Sequence, residues 1–307
     1  MLGKVVAIEQ EGRHLSVCRG FMVVSSKEEG EIAHIALDDI AVILAHAHQL
    51  TYSNTLLQEC CARGIGFVFT KKNHLPAGFL WPGEQHHEQS GIMADQLASS
   101  VPLRKQLWKI IIQGKIRLQA EQLGVLGISA ASGLVEMAKR VRSGDPDNLE
   151  AQAARRYWPL IMGEGFIRDH TASDALNTML NYGYTILRTT VARAIMAAGL
   201  HPALGIHHCS RQNTLPLADD LMEPFRPAVD RLVWQLAQKE VFSLEKPQKE
   251  ALAALHLQDC TVEGKTSPLG LSVLRAATSL AQSYRMQTTQ LVMPESLYPP
   301  SQSKLAQ

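Results

Sequence analysis

The hydrophobic periodicity of this chain changes once along its length, and that switch limits what it can fold into. Up to about Gly83, apolar residues mostly recur at every second position, in VVAIE, LSVCRGFMVV, IAHIAL and AVILAHA, with glycines and charged residues between them. Period two lines one face of a strand with apolar side chains, so this part is expected to form a small antiparallel β domain. One helix interrupts it, SNTLLQECCARG, where Ser53 or Asn54 caps the start and Gly64 takes the left-handed position at the end, before the strand IGFVFT. Beyond Pro102 the strand signal nearly vanishes and the helical period takes over. In VPLRKQLWKIIIQGKIRLQAEQL, Leu103, Leu107, Ile110, Ile111, Gly114 and Leu118 share a face, leaving basic residues free to point outward. Further helices are expected at about 147–163, 172–199, 221–241, 247–257 and 268–286. The expected fold is therefore α+β in two domains: a β-rich domain at 1–83, a polar Gly- and Pro-punctuated linker at 84–101, an all-helical domain at 102–290, and a mobile Pro- and Ser-rich tail at 291–307.

With 46% apolar and 19% charged residues among 307, the chain has ample material for a core, and disorder is not expected to dominate. No apolar run approaches the roughly 18–20 residues that span a bilayer, and no signal sequence opens the chain. The expectation is a soluble, cytoplasmic protein with no membrane partner. Five cysteines, odd in number and without a CxxC spacing, fit reduced thiols set mostly in the core rather than a disulfide frame. Cys209 beside His208 is the one thiol placed where a nucleophile would be useful, yet no resolving cysteine or oxyanion-donor pattern accompanies it.

The net charge of +1 does not by itself favour nucleic acid. Its distribution says more, because residues 104–156 hold ten basic side chains against five acidic ones. Such a run is either a solvated helix face or a track for phosphates.

Chemistry concentrates in PALGIHHCSRQNTLPLADDLMEPFRP, residues 202–227, where His207 and His208 precede Asp219, Asp220 and Glu223. Imidazole with carboxylates is a ligand set that magnesium or manganese accepts, whereas zinc favours more His or Cys. On a helix, Asp220 and Glu223 share a face and can converge on one cation. The same D-x-x-E spacing is also a capping box, although Pro224 and Pro227 would break a helix begun at Asp220 within two turns. A further ligand has to come from elsewhere. Glu150, in GDPDNLEAQAARRYW, is the best source, with complementing a helix dipole as its ordinary alternative.

Together these segments resemble a known family, the CRISPR adaptation integrase here called Cas-one. The resemblance runs through IALDDIAVILAHAHQLTYSNTLLQECCARGIGFVF, KQLWKIIIQGKIRLQA, SGDPDNLEAQAARRYWPLI, LNYGYTILRTTVARAIMAAGLHPALGIHH and LADDLMEPFRP. The short length and the DDLMEPFRP form look like variants that accompany large RNA-guided effector nucleases. The resemblance implies a dimerising β-rich N-terminal domain and an all-helical catalytic domain. It implies a metal site of Glu150, His208 and Glu223, with Asp220 as neighbour and the choice between Asp219 and Asp220 left open. It further implies a homodimer, two of which flank a dimer of the small companion protein Cas-two in a heterohexamer, joining 3′-hydroxyl ends of double-stranded DNA fragments to CRISPR repeat DNA. Arg155, Arg156, Arg188 and Arg193 are the expected holders of backbone phosphates. Tyr157, Trp158 and Tyr182 either stack on bases or fill the core. The rival readings are a metal-dependent nuclease of branched or repair DNA and a non-catalytic DNA-binding scaffold.

Overall fold

The structure, a computed structural model, describes residues 3–70, 76–80, 82, 86–128 and 130–299. Strands cluster at the N-terminal end, and the chain divides into two compact units, Met1–His87 and Glu88–Gln307.

The first unit contains two four-stranded sheets. In one, β2 (Arg13–Cys18), β3 (Phe21–Ser26) and β4 (Gly30–Ala36) form an antiparallel meander, and the short β6 (Thr51–Tyr52) adds parallel to β2. In the other, β1 (Lys4–Ile8), β5 (Ile40–Ala45) and β7 (Gly66–Thr70) run parallel, with β8 (Pro76–Phe79) antiparallel to β7. The expected antiparallel domain is thus corrected to a mixed one. The reason is legible afterwards in IAVILA, which does not alternate: every residue of β5 is buried, as befits a parallel strand covered on both faces. Helix α1 (Asn54–Arg63) forms as expected, with Ser53 Oγ accepting the Leu56 N–H at 3.3 Å and Gly64 at φ 62°. Leu15, Met22, Leu37, Ile43, Leu56 and Phe67 join both sheets and the helix in one core, each burial contributing about 1.5–3 kcal/mol.

The second unit is mostly helical. Its long axis is α3 (Val101–Val125), against which α4 (Ala131–Arg140), α5 (Leu149–Met162) and α8 (Arg226–Gln238) pack. Around these lie α6 (Ala175–Ala197), α7 (Pro216–Leu221), α9 (Lys246–Ala253) and α10 (Leu269–Met286).

Three expectations are corrected here. The segment read as a linker carries α2 (Gln89–Leu97), which packs on α10. The unit is not all-helical: β9 (Asp259–Val262) and β10 (Lys265–Pro268) form a hairpin whose two-residue turn, Glu263 and Gly264, has φ of 48° and 71°. A positive pair of this kind matches the right-handed strand twist. The segment 291–299, read as the start of a mobile tail, is tied to α3. Leu297 and Tyr298 are buried, the Leu297 N–H donates to Glu121 at 3.0 Å, and the Tyr298 hydroxyl donates to Gln122 at 2.9 Å; positions 300–307 of that tail lie outside the described residues. Several basic residues of α3 do face outward, Lys105 and Arg117 among them, while its central turns are buried on nearly every side and Lys115 is buried with them. No described helix is long and apolar enough to cross a membrane.

Candidate functional site

Glu150 stands in the first turn of α5, where backbone N–H groups need acceptors. Others supply that need. Asn148, in the left-handed region at φ 51°, caps the helix, and the Asp145 carboxylate accepts the N–H groups of Leu149 at 2.9 Å and Glu150 at 3.0 Å. Relieved of capping, the Glu150 side chain reaches the Lys115 ammonium on α3 at 2.6 Å.

Glu223 reaches the same lysine from the turn between α7 and α8. The prolines act as the sequence suggested: α7 ends at Leu221, a 3₁₀ turn spans Glu223–Phe225, and α8 begins at Arg226 with Pro227 in its first turn, where a missing N–H costs nothing. Asp220 and Glu223 therefore lie in different elements, and neither the shared helix face nor the capping box is realised. Instead Glu223, buried, meets Lys115 Nζ at 2.5 Å with Oε2 and accepts from Arg226 Nε at 2.7 Å with Oε1. Burial raises the Glu223 pKa, but Arg226 and Lys115 outweigh it and hold the carboxyl below the usual glutamate range. Burial likewise opposes the Lys115 charge, and Glu223 and Glu150 overcome it, so its pKa is raised.

Asp220 has a different task. It is fully buried in α7, and its Oδ2 accepts the backbone N–H groups of Ile206 at 2.6 Å and His207 at 2.9 Å. Its Oδ1 lies 3.3 Å from the His208 N–H and 2.5 Å from His208 Nδ1. The loop carrying the histidines is held at two more points. Gln96 of α2 exchanges hydrogen bonds with His201 and donates to the Leu204 carbonyl at 2.9 Å. Trp108 of α3 stacks on His207 with ring centroids 4.3 Å apart and planes 4° from parallel. Gly205 is required at the bend, because a Cβ there would run into the His208 carbonyl.

The hydrogen bond to Asp220 raises the His208 pKa above 6.5; burial opposes this, and the charges of Asp220, Glu223 and Glu150 reinforce it. The three residues expected to hold a metal are thus brought into one electrostatic neighbourhood from α5, the 206–208 loop and the 3₁₀ turn. As a donor set they fit a hard dication: two carboxylates close on one cationic point, at present an ammonium, and an imidazole has its Nδ1 committed so that Nε2 remains for a ligand. Among the described residues no group of three or more His, Cys, Asp or Glu side chains is gathered tightly enough to hold a metal ion as it stands, since Lys115 separates the glutamates. Beside His208 opens a cavity of ≈ 440 Å³, lined in part by Leu97, Arg104, Cys209, Arg211 and Tyr284.

The expected phosphate-holding arginines divide. Arg155 and Arg156 are exposed on α5, just beyond Glu150. Arg188 instead forks onto Asp219 at 2.6 and 2.9 Å and onto Asn213 at 2.9 Å, so Asp219 is engaged by a guanidinium. Arg193 is half-buried, and burial lowers its pKa. Tyr157 and Tyr182 are buried and Trp158 half-buried; the Cys209 thiol donates to the His207 carbonyl at 3.3 Å.

Lys115, Trp108, Gln96 and Arg226 were not singled out from the sequence. For Lys115 the signal was present: WKIIIQGKI offers it no polar face, and a buried lysine needs a partner. Behind Glu223, Arg226 lies 4.5 Å over the Tyr184 ring and the Tyr184 hydroxyl donates to Asp230, whose carboxyl burial pushes up to about 7.

Comparison with known proteins gives this arrangement a context. Residues 6–262 match the family described as "CRISPR associated protein Cas1". A protein of Neisseria meningitidis serogroup C named "CRISPR-associated endonuclease Cas1" is 35% identical over 297 residues, covering 94% of this chain and 95% of its own. A casposase bound to integration product shares the fold at a TM-score of 0.78 and 18% identity, covering 97% of this chain and 94% of that one. So does a chain of a Cas6-RT-Cas1–Cas2 complex, at 0.73 and 16%, covering 97% of this chain and 36% of that one.

Proposed function

The chain belongs to the Cas1 family of CRISPR-associated proteins, and from that premise we propose that it is a divalent-cation-dependent DNA endonuclease and integrase. It joins the 3′-hydroxyl ends of captured double-stranded DNA fragments to CRISPR repeat DNA by transesterification. The observation that carries this reading is the convergence of Glu150 and Glu223, 73 positions apart, on one cationic point, with His208 clamped alongside by Asp220. A scaffold that only bound DNA would have no use for two carboxylates facing each other across a buried cation.

Glu150, Glu223 and Nε2 of His208 would hold Mg²⁺ or Mn²⁺. Such an ion, when bound, polarises the phosphoryl oxygen and stabilises charge on the attacking and leaving oxygens. The chain's own residues do the positioning. Asp220 accepts the Nδ1–H of His208 and so, in the neutral ring, places the lone pair on Nε2. Arg226 neutralises the face of Glu223 turned away from Lys115, and Tyr184 holds the Arg226 guanidinium in place from its ring face. Arg155 and Arg156, about one and a half turns beyond Glu150 and exposed, supply charge for DNA backbone phosphates. A phosphodiester exchange needs little covalent chemistry from the protein, so positioning and charge stabilisation set its rate.

The partners proposed are a second copy of this chain and a dimer of the small Cas2 companion in a heterohexamer, in keeping with the complex whose chain shares this fold. The test is strand transfer of a short duplex into a repeat-bearing plasmid, with Mg²⁺ or Mn²⁺, with and without Cas2. Glu150→Gln and His208→Ala proteins should fold and fail to join ends. Joining at the wild-type rate by either variant would sink the proposal, and cleavage of branched DNA with no joining by the wild type would transfer it to a repair nuclease.

A further inference from the structure

Two carboxylates facing each other in a buried site repel, and without a cation one of them takes up a proton or moves away. Here neither does, because Lys115 lies between them. Its side chain is 11% exposed, its Nζ is 2.6 Å from Glu150 Oε1 and 2.5 Å from Glu223 Oε2, and both oxygens belong to residues expected to ligate a metal. The ammonium therefore stands where a dication joining the same two carboxylates would stand.

We propose that Lys115 is a built-in occupant of the cation position: its ammonium keeps Glu150 and Glu223 at near-coordination spacing in the metal-free protein and withdraws when the divalent ion binds. This rests on the reading of the site as metal-dependent. The side chain suits the task, since lysine is a compact charge on a flexible four-carbon stem that can retract, which the rigid fork of an arginine does less readily. The carboxylates need little rearrangement on exchange, from 2.6 Å around an ammonium to about 2.0–2.1 Å around magnesium. Because the ion has to displace a charge already in place, its affinity is lower than the two glutamates and the histidine would otherwise give. The site stays closed by its own lysine until the ion is abundant.

The test uses the full-length protein and Mn²⁺ alone, read by titration calorimetry and thermal melting rather than by activity. Lys115→Met keeps most of the stem and removes the charge. In chelator it should melt lower than the wild type by about 5–10 °C, and saturating Mn²⁺ should narrow that gap. Its Mn²⁺ affinity should be higher by about tenfold or more. Equal or weaker affinity in a folded Lys115→Met protein overturns the proposal.

A second measurement needs no variant. Acylation of Lys115 in the wild type, followed by mass spectrometry, should rise several-fold when Mn²⁺ is added and the ammonium leaves its two partners. If the wild type binds Mn²⁺ with Lys115 labelling unchanged, the lysine proposal falls and the metal site stands. If neither protein binds Mn²⁺, both fall.

Discussion

Asp220→Asn separates a residue that orients a ligand from one that is a ligand. The carboxylate collects two backbone N–H groups on Oδ2, at 2.6 and 2.9 Å, and His208 Nδ1 on Oδ1, at 2.5 Å. An asparagine side chain has one oxygen to offer. Placed toward Ile206 and His207 it keeps those two bonds and gives up the long one from the His208 N–H at 3.3 Å, and its NH₂ then faces His208 Nδ1. That nitrogen must become an acceptor, and the ring proton moves to Nε2. The opposite placement leaves two backbone donors facing an NH₂, one of them buried, at a cost of about 1–3 kcal/mol for each donor left unmade. The first arrangement is therefore preferred, and the stability loss is the charge-assisted part of the hydrogen bonds, about 1–3 kcal/mol. With Nε2 protonated, cation affinity and strand transfer should fall by about 10–100-fold, short of the complete loss expected for Glu150→Gln. Side-chain ¹⁵N NMR of His208 reads the tautomer directly, urea unfolding gives the stability, and calorimetry gives the Mn²⁺ affinity. Retention of the Nδ1–H tautomer in Asp220→Asn, or an activity loss as complete as that of Glu150→Gln with no change at His208, refutes the reasoning and makes Asp220 itself a ligand.

The pH responses follow from the same site. The folded-state pKa of His208 is raised above 6.5, so the stability it contributes is present below 6.5 and lost as pH rises through the folded value. Cation binding needs the neutral ring and runs the other way: Mn²⁺ affinity should weaken as pH falls through a value above 6.5, and a midpoint below 6.5 in the metal-free NMR titration of His208 contradicts the structure. For buried Asp230, raised from 3.8 to about 7, the protonated form is favoured on folding. Stability is lost as pH rises between these values, by on the order of 4 kcal/mol. Asp230→Asn should flatten that decline in urea unfolding at pH 5 and 8, and parallel profiles for the two proteins would contradict it. In α6, a Cβ on Gly183 would lie 2.5 Å from Val229 Cγ1 and 3.0 Å from Leu252 Cδ2, so Gly183→Ala should destabilise by about 1–3 kcal/mol. An unchanged melting temperature for Gly183→Ala would show that the helices part without strain.

Elements were legible where local rules suffice. The periodicity switch, the Ser53 and Gly64 caps of α1, and α5, α6 and α10 could be read within a residue or a few, because a helix face and a cap are properties of neighbouring residues. Parallel pairing of β1, β5 and β7 was not legible, since the run IAVILA reports burial on two faces but not which strands provide the cover. The short α2 and α7 were missed for a related reason, being held by contacts distant in sequence, as Gln96 to His201 shows. Helix α4, which packs on its chain neighbour α3, and the Glu263–Gly264 hairpin, paired through a two-residue turn, are local and were missed nonetheless.

The sequence by itself determined which donor atoms exist near residues 150, 208 and 223, their chemical kind, and the proline-broken backbone that sets Glu223 apart from α7. The tertiary structure alone decided their division of labour. Whether Asp220 faces a cation or a backbone loop, whether Arg188 meets DNA or Asp219, and whether Lys115 points to water or stands between Glu150 and Glu223 depend on how separate elements pack together. The physical reason is that a charge is defined by its surroundings. A buried ammonium or carboxylate persists only with its partners in place, and for Lys115 those partners lie 35 and 108 positions away along the chain.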